Sequence, residues 1–430
     1  MVGAGAAGIM AAAAAAEAGA DTVLLETTAD GGRKILISGG GRCNILPARL
    51  DESRFVTDSS PNTLRKIVRS WPLAEQIAFF ERELGLSLVE ETETGKLFPA
   101  SNRARDARDG LVALAVRRGT RLETSARVTD VASTPGGWRI DRESGPPLDA
   151  DAVILAAGGL SVPKTGSDGF GLRIAERFGH TIHPMYAALT PLTATPLSVG
   201  SLSADPFSAG GPTPAPAPFG HLAGVSLPVT ISAHDRERSA TATGGFLFTY
   251  RGYSGPAVLD VSHVVVRALP ERQADVRVCW AGLDEPAWVA ALEAKGTRTV
   301  LGALRGPLPE RLAHALLDFA GVDPARPLAQ LRREERLRLV ETLARCPLPV
   351  TGHEGYRKAE VTGGGVSLSE IDPRTMESRR HPGLFLCGEM LDAFGPIGGY
   401  NFLWAWVTGR AAGVGAAGGC SVQKGLRGRP

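Results

Sequence analysis

Residues 1–26 read MVGAGAAGIMAAAAAAEAGADTVLLE, and this stretch decides the fold. Gly3, Gly5 and Gly8 stand in the spacing G-x-G-x-x-G, with Ala4, Ala6 and Ala7 between them. In that spacing the first glycine allows a tight turn, the second lets backbone approach a pyrophosphate, and the third lets a helix pack closely on a strand. Residues 9–18, mostly alanine, read as that helix, with its N-terminal N–H groups facing the phosphates. Val23, Leu24 and Leu25 read as the second strand, and Glu26 ends it eighteen residues after Gly8, where an acid binds a ribose hydroxyl. Motif, helix, strand and acid in register specify a dinucleotide-binding α/β start. A full first strand supplies about five residues before such a turn, yet only Met1 and Val2 precede Gly3. The expectation is that this first, central strand is truncated and that cofactor retention is weakened.

Composition bounds the rest. The 430 residues are 43% hydrophobic and 21% charged, ordinary for a globular chain of two or three domains. A formal net charge of +2 argues against a polyanion-binding surface. The five cysteines (Cys43, Cys279, Cys346, Cys387, Cys420) form no C-x-x-C pair, so neither zinc nor a dithiol is signalled. The eight histidines show no metal-ligand spacing. Residues 1–20 lack the basic start of a signal peptide and are broken by glycines and Glu17, so a cytoplasmic protein is expected.

Further along, residues 61–95 keep helical spacing, with a break at Pro72; residues 90–101 (EETETGKLFPAS) read as a hairpin or loop. Residues 121–140 read as two strands around a Pro135-Gly136-Gly137 turn. Residues 152–159 (AVILAAGG) read as a buried parallel strand running into glycines, and residues 384–389 (LFLCGE) as a second. Between them the texture changes. Residues 188–283 read as an inserted, β-barrel-like domain and residues 284–346 as an arginine-rich helical insert, leaving residues 1–187 and 347–420 as one discontinuous nucleotide-binding domain. Residues 205–218 (DPFSAGGPTPAPAP) read as a loop, and residues 421–430 as a disordered tail after a helix from Asn401 to about Val414.

Strand ends of a doubly wound sheet point into the ligand crevice. Ala157, Gly158 and Gly159 are therefore cofactor-side candidates, as are Gly388, Glu389 and Asp392, the acids facing the ribitol-phosphate part of a flavin. Gly398 and Gly399 would let backbone approach the flavin ring, and the helix beginning near Tyr400 and Asn401 would aim its positive end there, favouring the reduced state. Loops after the second strand supply Arg33, Lys34, Ser38, Gly39, Gly40, Gly41, Arg42, Cys43 and Asn44. Their amides form an anion nest, and the three cations neutralise pyrophosphate.

The set GAGAAG, DGGRKILISGGGRCN, ETGKLFP, ILAAGGLSVPKTGSDGFG, LFTYRGYSGPAVLDVS, VTGGGVSLSEIDPRTMES and LFLCGEMLDAFGPIGGYNFLWAWVTG resembles the bacterial BaiN-like FAD-dependent oxidoreductases, some of them labelled aminoacetone-oxidase-like. The resemblance runs from Val2 to about Gly415. It implies a glutathione-reductase-like, doubly wound FAD domain with an inserted β-barrel and small helical unit. By motif it carries over FAD contacts at positions 3–8, Glu26, Arg33, Lys34, 38–44, Gly158, Gly159, Gly388, Glu389 and 399–401, with Val128 as an adenine-side backbone contact.

No second G-x-G-x-x-G follows a strand, so a nicotinamide donor would dock transiently over the flavin. Candidate proton donors or substrate binders are Tyr400, Asn401, Lys164, Tyr253, Ser254, Arg103 and Arg105. Cys43 lies in the motif without a partner thiol. The expected activity is hydride transfer through flavin N5, from NAD(P)H to a small conjugated carbonyl compound or dioxygen. The rival readings are an RNA-associated flavoprotein, a flavin-stabilised scaffold and a flavin-free dehydrogenase.

Overall fold

The computed structural model describes residues 1–194, 219–269, 273–293 and 297–427. The proline-rich stretch 205–218 lies outside these residues. The chain divides into two units, Met1–Tyr186 with Val361 onward, and Ala187–Glu360.

The first unit is built on a parallel sheet. Arg121–Glu123 pairs with Val23–Leu25, and Val153–Leu155 pairs with Leu384–Leu386. Val2 bridges both halves, to Leu25 on one side and Leu155 on the other. No strand precedes the first helix among the described residues: Val2 alone stands between the two halves, as isolated bridges. Met1 O accepts from Leu25 N (2.9 Å), Gly3 N donates to Leu25 O (2.8 Å), Val2 N donates to Ile154 O (2.9 Å) and Ala156 N donates to Val2 O (2.9 Å).

The alanine helix runs Ala6–Glu17, starting three residues earlier than its composition suggests, and is buried from Ala7 to Ala15. It lies against the last helix, Tyr400–Arg427, in a contact made by small residues. A Cβ on Gly409 would sit 2.3 Å from Ala7 O, and one on Gly413 would sit 2.2 Å from Ala11 O. The backbones touch because neither glycine has a side chain. That helix continues through Arg427, past the expected end at Val414, and takes in residues 421–427 of the expected tail; residues 428–430 lie outside the described residues. The glycine-rich stretch 413–425 lowers intrinsic propensity without breaking the helix.

The 90–101 segment forms the expected hairpin, Leu88–Glu91 with Lys96–Pro99, and Leu46–Pro47 adds a third strand. Val128–Thr134, Gly137–Arg142 and Leu148–Ala150 form an antiparallel meander.

In the second unit seven antiparallel strands lie in the linear order Cys346–Pro347, Asp275–Trp280, Ser226–His234, Ser239–Phe248, Gly252–Ser254, Leu192–Thr193 and Gly352–His353. The two end strands are not paired to each other among the described residues. The core of the sheet also takes in Trp288, Leu316, Leu317 and Leu339 from the helices. The 188–283 and 284–346 segments therefore share one core, and the unit runs on to Glu360 because residues 346–353 supply both edge strands.

Candidate functional site

The three glycines of the first turn differ in what surrounds them. Gly3 has φ +98°, and a Cβ there would lie 2.7 Å from Ala156 O. A Cβ on Gly8 would lie 1.9 Å from Gly3 O, so only glycine lets the helix seat on the turn. Gly5 is different: nothing stands within 4 Å of its missing Cβ. Beyond it the helix opens with no side-chain cap and no acid in the first turn, leaving its positive end uncompensated. Glu26 anchors the cradle. Its carboxylate accepts from Ala4 N (2.8 Å) and from Thr28 N (2.8 Å) and Oγ1 (2.6 Å). Ala126 N donates to Glu26 O (2.8 Å), bringing the segment before Val128 alongside the acid; Val128 is buried at the start of its strand.

The second glycine loop is left-handed at Gly39 (φ +55°), Gly40 (φ +68°), Gly41 (φ +86°) and Cys43 (φ +63°). The space beside Gly40 is open, while Asn44 N lies 3.1 Å from where a Gly39 Cβ would be. Ser38 Oγ donates to Ile35 O (2.9 Å). Cys43 is fully buried, and burial pushes its thiol up to about 12, so it is no thiolate nucleophile. The three cations expected to neutralise pyrophosphate are each paired within the protein. Arg33 meets Asp30 (2.9 Å), Arg42 meets Glu91 (3.0 Å) and lies over the Phe98 ring, and Lys34 meets Glu389. Positive potential at the cradle therefore comes from backbone amides and the helix end.

Lys34 and Glu389 belong to a network that ties four segments together. Lys34 donates to Ser161 Oγ (2.7 Å), and Glu389 accepts from Ser161 Oγ, Thr362 N (3.0 Å) and Thr362 Oγ1 (3.0 Å). Thr362 Oγ1 in turn accepts from Leu160 N (2.7 Å) and Ser161 N (3.1 Å). Glu389 is thus held by partners within the protein, at the strand end where the sequence reading sets it beside a flavin. Gly159 is small for the same reason: a Cβ there would lie 2.3 Å from Thr362 Oγ1. Gly158 turns left-handed beside Ala157 (φ +72°). Gly388 N donates to Thr408 Oγ1 (3.0 Å), and Gly388 O accepts from Trp404 Nε1 (3.1 Å). Asp392 is buried and holds residues 57–59, accepting from Ser59 N (2.7 Å), Ser59 Oγ (2.8 Å) and Asp58 N (3.0 Å). Burial pushes its carboxyl up against those hydrogen bonds and the nearby His183.

At the last helix, Asn401 clamps Gly395 in both directions, accepting from its N and donating to its O (2.9 Å each). Tyr400 is buried, its hydroxyl donating to Arg49 O (3.3 Å) and accepting from Asp51 N (3.2 Å). Both are structural here and not free proton donors. Gly399 is required because its Cβ would lie 2.4 Å from Leu46 C, and Gly398 faces the methylenes of Lys96. Lys96 was not singled out by the sequence; only its place in the ETGKLFP motif hinted at it. The other candidates do not gather here. Lys164, Arg103 and Arg105 are exposed. Tyr253 lies in the core of the second unit, packed on Phe246 and Phe248, and burial drives its phenol far above its usual range. Ser254, at the end of the same strand, is half-buried. No group of three or more His, Cys, Asp or Glu among the described residues is placed to hold a metal, and no described helix is long and apolar enough to cross a membrane.

A tight glycine turn opening an uncapped helix, an acid at the end of the next strand and a parallel sheet are the frame of the flavoprotein oxidoreductase class. Residues 1–415 match the family described as HI0933-like protein Rossmann domain, and the chain belongs to that family. It is 32% identical over 413 residues to a ribosomal RNA dihydrouridine synthase of Escherichia coli, covering 94% of each chain. It is 31% identical over 426 residues to a 3-dehydro-bile acid delta(4,6)-reductase of Clostridium scindens, covering 97% of this chain and 98% of that one. Among solved structures, a variant of E. coli quinol fumarate reductase FrdA aligns with TM-score 0.49 and 17% identity, over 98% of this chain and 70% of the other.

Proposed function

We propose that the chain is an NAD(P)H-dependent flavoenzyme that reduces a carbon–carbon double bond conjugated to a carbonyl. The observation that carries the reading is the open side of Gly5, set between two glycines closed by backbone, at an uncapped helix end. On this reading the amides of residues 5–8 take the FAD pyrophosphate and Glu26, already oriented by Ala4 and Thr28, takes the ribose. Backbone at Val128 edges the adenine. The left-handed loop at residues 39–43 and the turns at residues 157–159, 388–392 and 398–399 border the remainder. The Lys34–Glu389–Ser161–Thr362 network sets the shape of that wall. Bound there, FAD would supply the hydride chemistry for such a double bond, the second hydrogen arriving as a proton and a nicotinamide serving as the source of the two electrons.

The acceptor class is supported by the chemistry the two relatives' names share. Dihydrouridine is uridine with its ring C5=C6 bond saturated, and a delta(4,6)-reductase of a 3-dehydro bile acid saturates an alkene conjugated to the 3-ketone. Both double bonds are activated by a carbonyl. The test is anaerobic. The purified protein is denatured to identify released FAD, and intact protein is bleached with NADPH or NADH. The bleached protein is then mixed with a uridine-containing ribosomal RNA fragment or with a 3-keto-4,6-diene steroid. Return of the oxidised flavin spectrum with either acceptor supports the reading and identifies the substrate class. Reoxidation by dioxygen alone refutes it.

A further inference from the structure

We propose that Lys96 is the side chain that stabilises negative charge on the reduced cofactor; the proposal rests on the flavin reading above. Three observations converge on it. First, Lys96 lies flat against the turn that precedes the last helix: a Cβ on Gly398 would be 3.5 Å from both Lys96 Cγ and Lys96 Cε. The strand fixes this placement, Lys96 being paired across to Pro47 on one side and Glu91 on the other.

Second, its charge is not spent elsewhere. Arg33, Lys34 and Arg42 each contact a carboxylate of the protein, but the Lys96 ammonium makes no hydrogen bond or ion pair among the described residues. Its cross-strand neighbour Glu91 is already engaged, by Arg42 (3.0 Å) at one oxygen and by Thr94 Oγ1 (2.6 Å) at the other. Lys96 acts on that carboxylate only through space.

Third, the adjacent helix begins at Tyr400 with no acidic residue in its first turn. An ammonium beside the positive end of a helix is unfavourable by itself. The half-buried Lys96 and the helix end together form a positive corner that an anion would relieve. Oxidised flavin is neutral in its ring; reduced flavin carries negative charge on the pyrimidine side. A group that meets charge only after reduction stabilises the reduced state selectively.

The experiment compares the parent protein with Lys96→Gln, Lys96→Met and Lys96→Arg, each loaded with FAD. Lys96→Met keeps the methylenes on Gly398 while removing the charge, so packing and charge are separated. Two readouts avoid turnover: the two-electron midpoint potential by dye equilibration, and the affinity for sulfite, which adds to N5 and leaves negative charge on the ring. Lys96→Gln and Lys96→Met are expected to bind sulfite about tenfold more weakly, the effect of one unit charge at about 12 Å and an effective dielectric of about 20. Their potentials are expected to fall, and Lys96→Arg to restore both values. Unchanged sulfite affinity and potential in FAD-loaded Lys96→Met overturn the proposal while leaving the flavin reading intact. A parent protein that neither carries nor takes up FAD overturns both.

Discussion

Alanine at Gly413 tests the small-residue contact between the first and last helices. The new Cβ would sit 2.2 Å from Ala11 O, against ordinary contact at 3.4 Å or more. Because the obstacle is backbone, no rotamer relieves it, and the helices must part by about 1 Å, an overpacking that costs about 1–3 kcal/mol. Alanine for glycine inside a helix returns about 1 kcal/mol through propensity. The expected net is a loss of up to about 2 kcal/mol. Gly409→Ala meets the same obstacle at Ala7 O, 2.3 Å away, directly behind the cradle, so it is expected to weaken FAD retention as well. Gly418 supplies the control on the same helix: nothing stands within 4 Å of its Cβ, and Gly418→Ala is expected to gain up to about 1 kcal/mol. The assay is urea unfolding of the three variants, followed by the fluorescence of Trp404 and Trp406, both buried in this helix. Midpoints of Gly409→Ala and Gly413→Ala equal to that of Gly418→Ala would refute the steric argument.

Three further outcomes are expected. Gly5→Ala should leave unfolding within about 0.5 kcal/mol of the parent, the space being open, yet abolish FAD retention on gel filtration; a yellow variant would place the pyrophosphate elsewhere. Glu370 is hydrogen-bonded to Arg380 (2.6 Å), Thr181 and His180, and the Arg380 bond leads the interactions that hold its carboxyl down to about 2. Its folded pKa lies below its unfolded one, so its stabilisation is present above about pH 4.5 and lost as pH falls toward 2. The midpoint gap between parent and Glu370→Gln should therefore be full at pH 7 and shrink through that window; a gap independent of pH would count against it. Cys43, with its thiol at about 12, should resist iodoacetamide at pH 8 until the protein unfolds, and peptide mapping that finds it alkylated in native protein would show the burial to be wrong.

The parts of the site legible in the sequence are those whose physics is local. The roles of Gly3, Gly5 and Gly8 follow from sterics within a few residues, and the acid at Glu26 from the length of one helix and one strand. What escaped is set by partners distant in sequence. Nothing near Lys34 announces Glu389 and nothing near Arg42 announces Glu91, so both read as available when each is paired; Asp30, the partner of Arg33, stands three residues away, within reach of a local reading. Asn401 and Tyr400 look catalytic beside a glycine turn, but their partners, Gly395 on one side and Arg49 and Asp51 on the other, make them clamps. The change in texture after Ala187 reports strands and then helices correctly. Texture says nothing about which core a helix joins, and so one unit reads as two.

Thr362 stands just inside the point where the chain re-enters the first unit, and its hydroxyl receives the amides of Leu160 and Ser161. Gly409 and Gly413 arrive later still. During synthesis the cradle segment therefore emerges before the Thr362 segment and before the helix that packs behind it. The second unit, with its own core, can settle while the first waits half-built. Completion of the first unit thus waits on the second, and the waiting cradle segment, apolar and alanine-rich, is the portion a chaperone would have to shield.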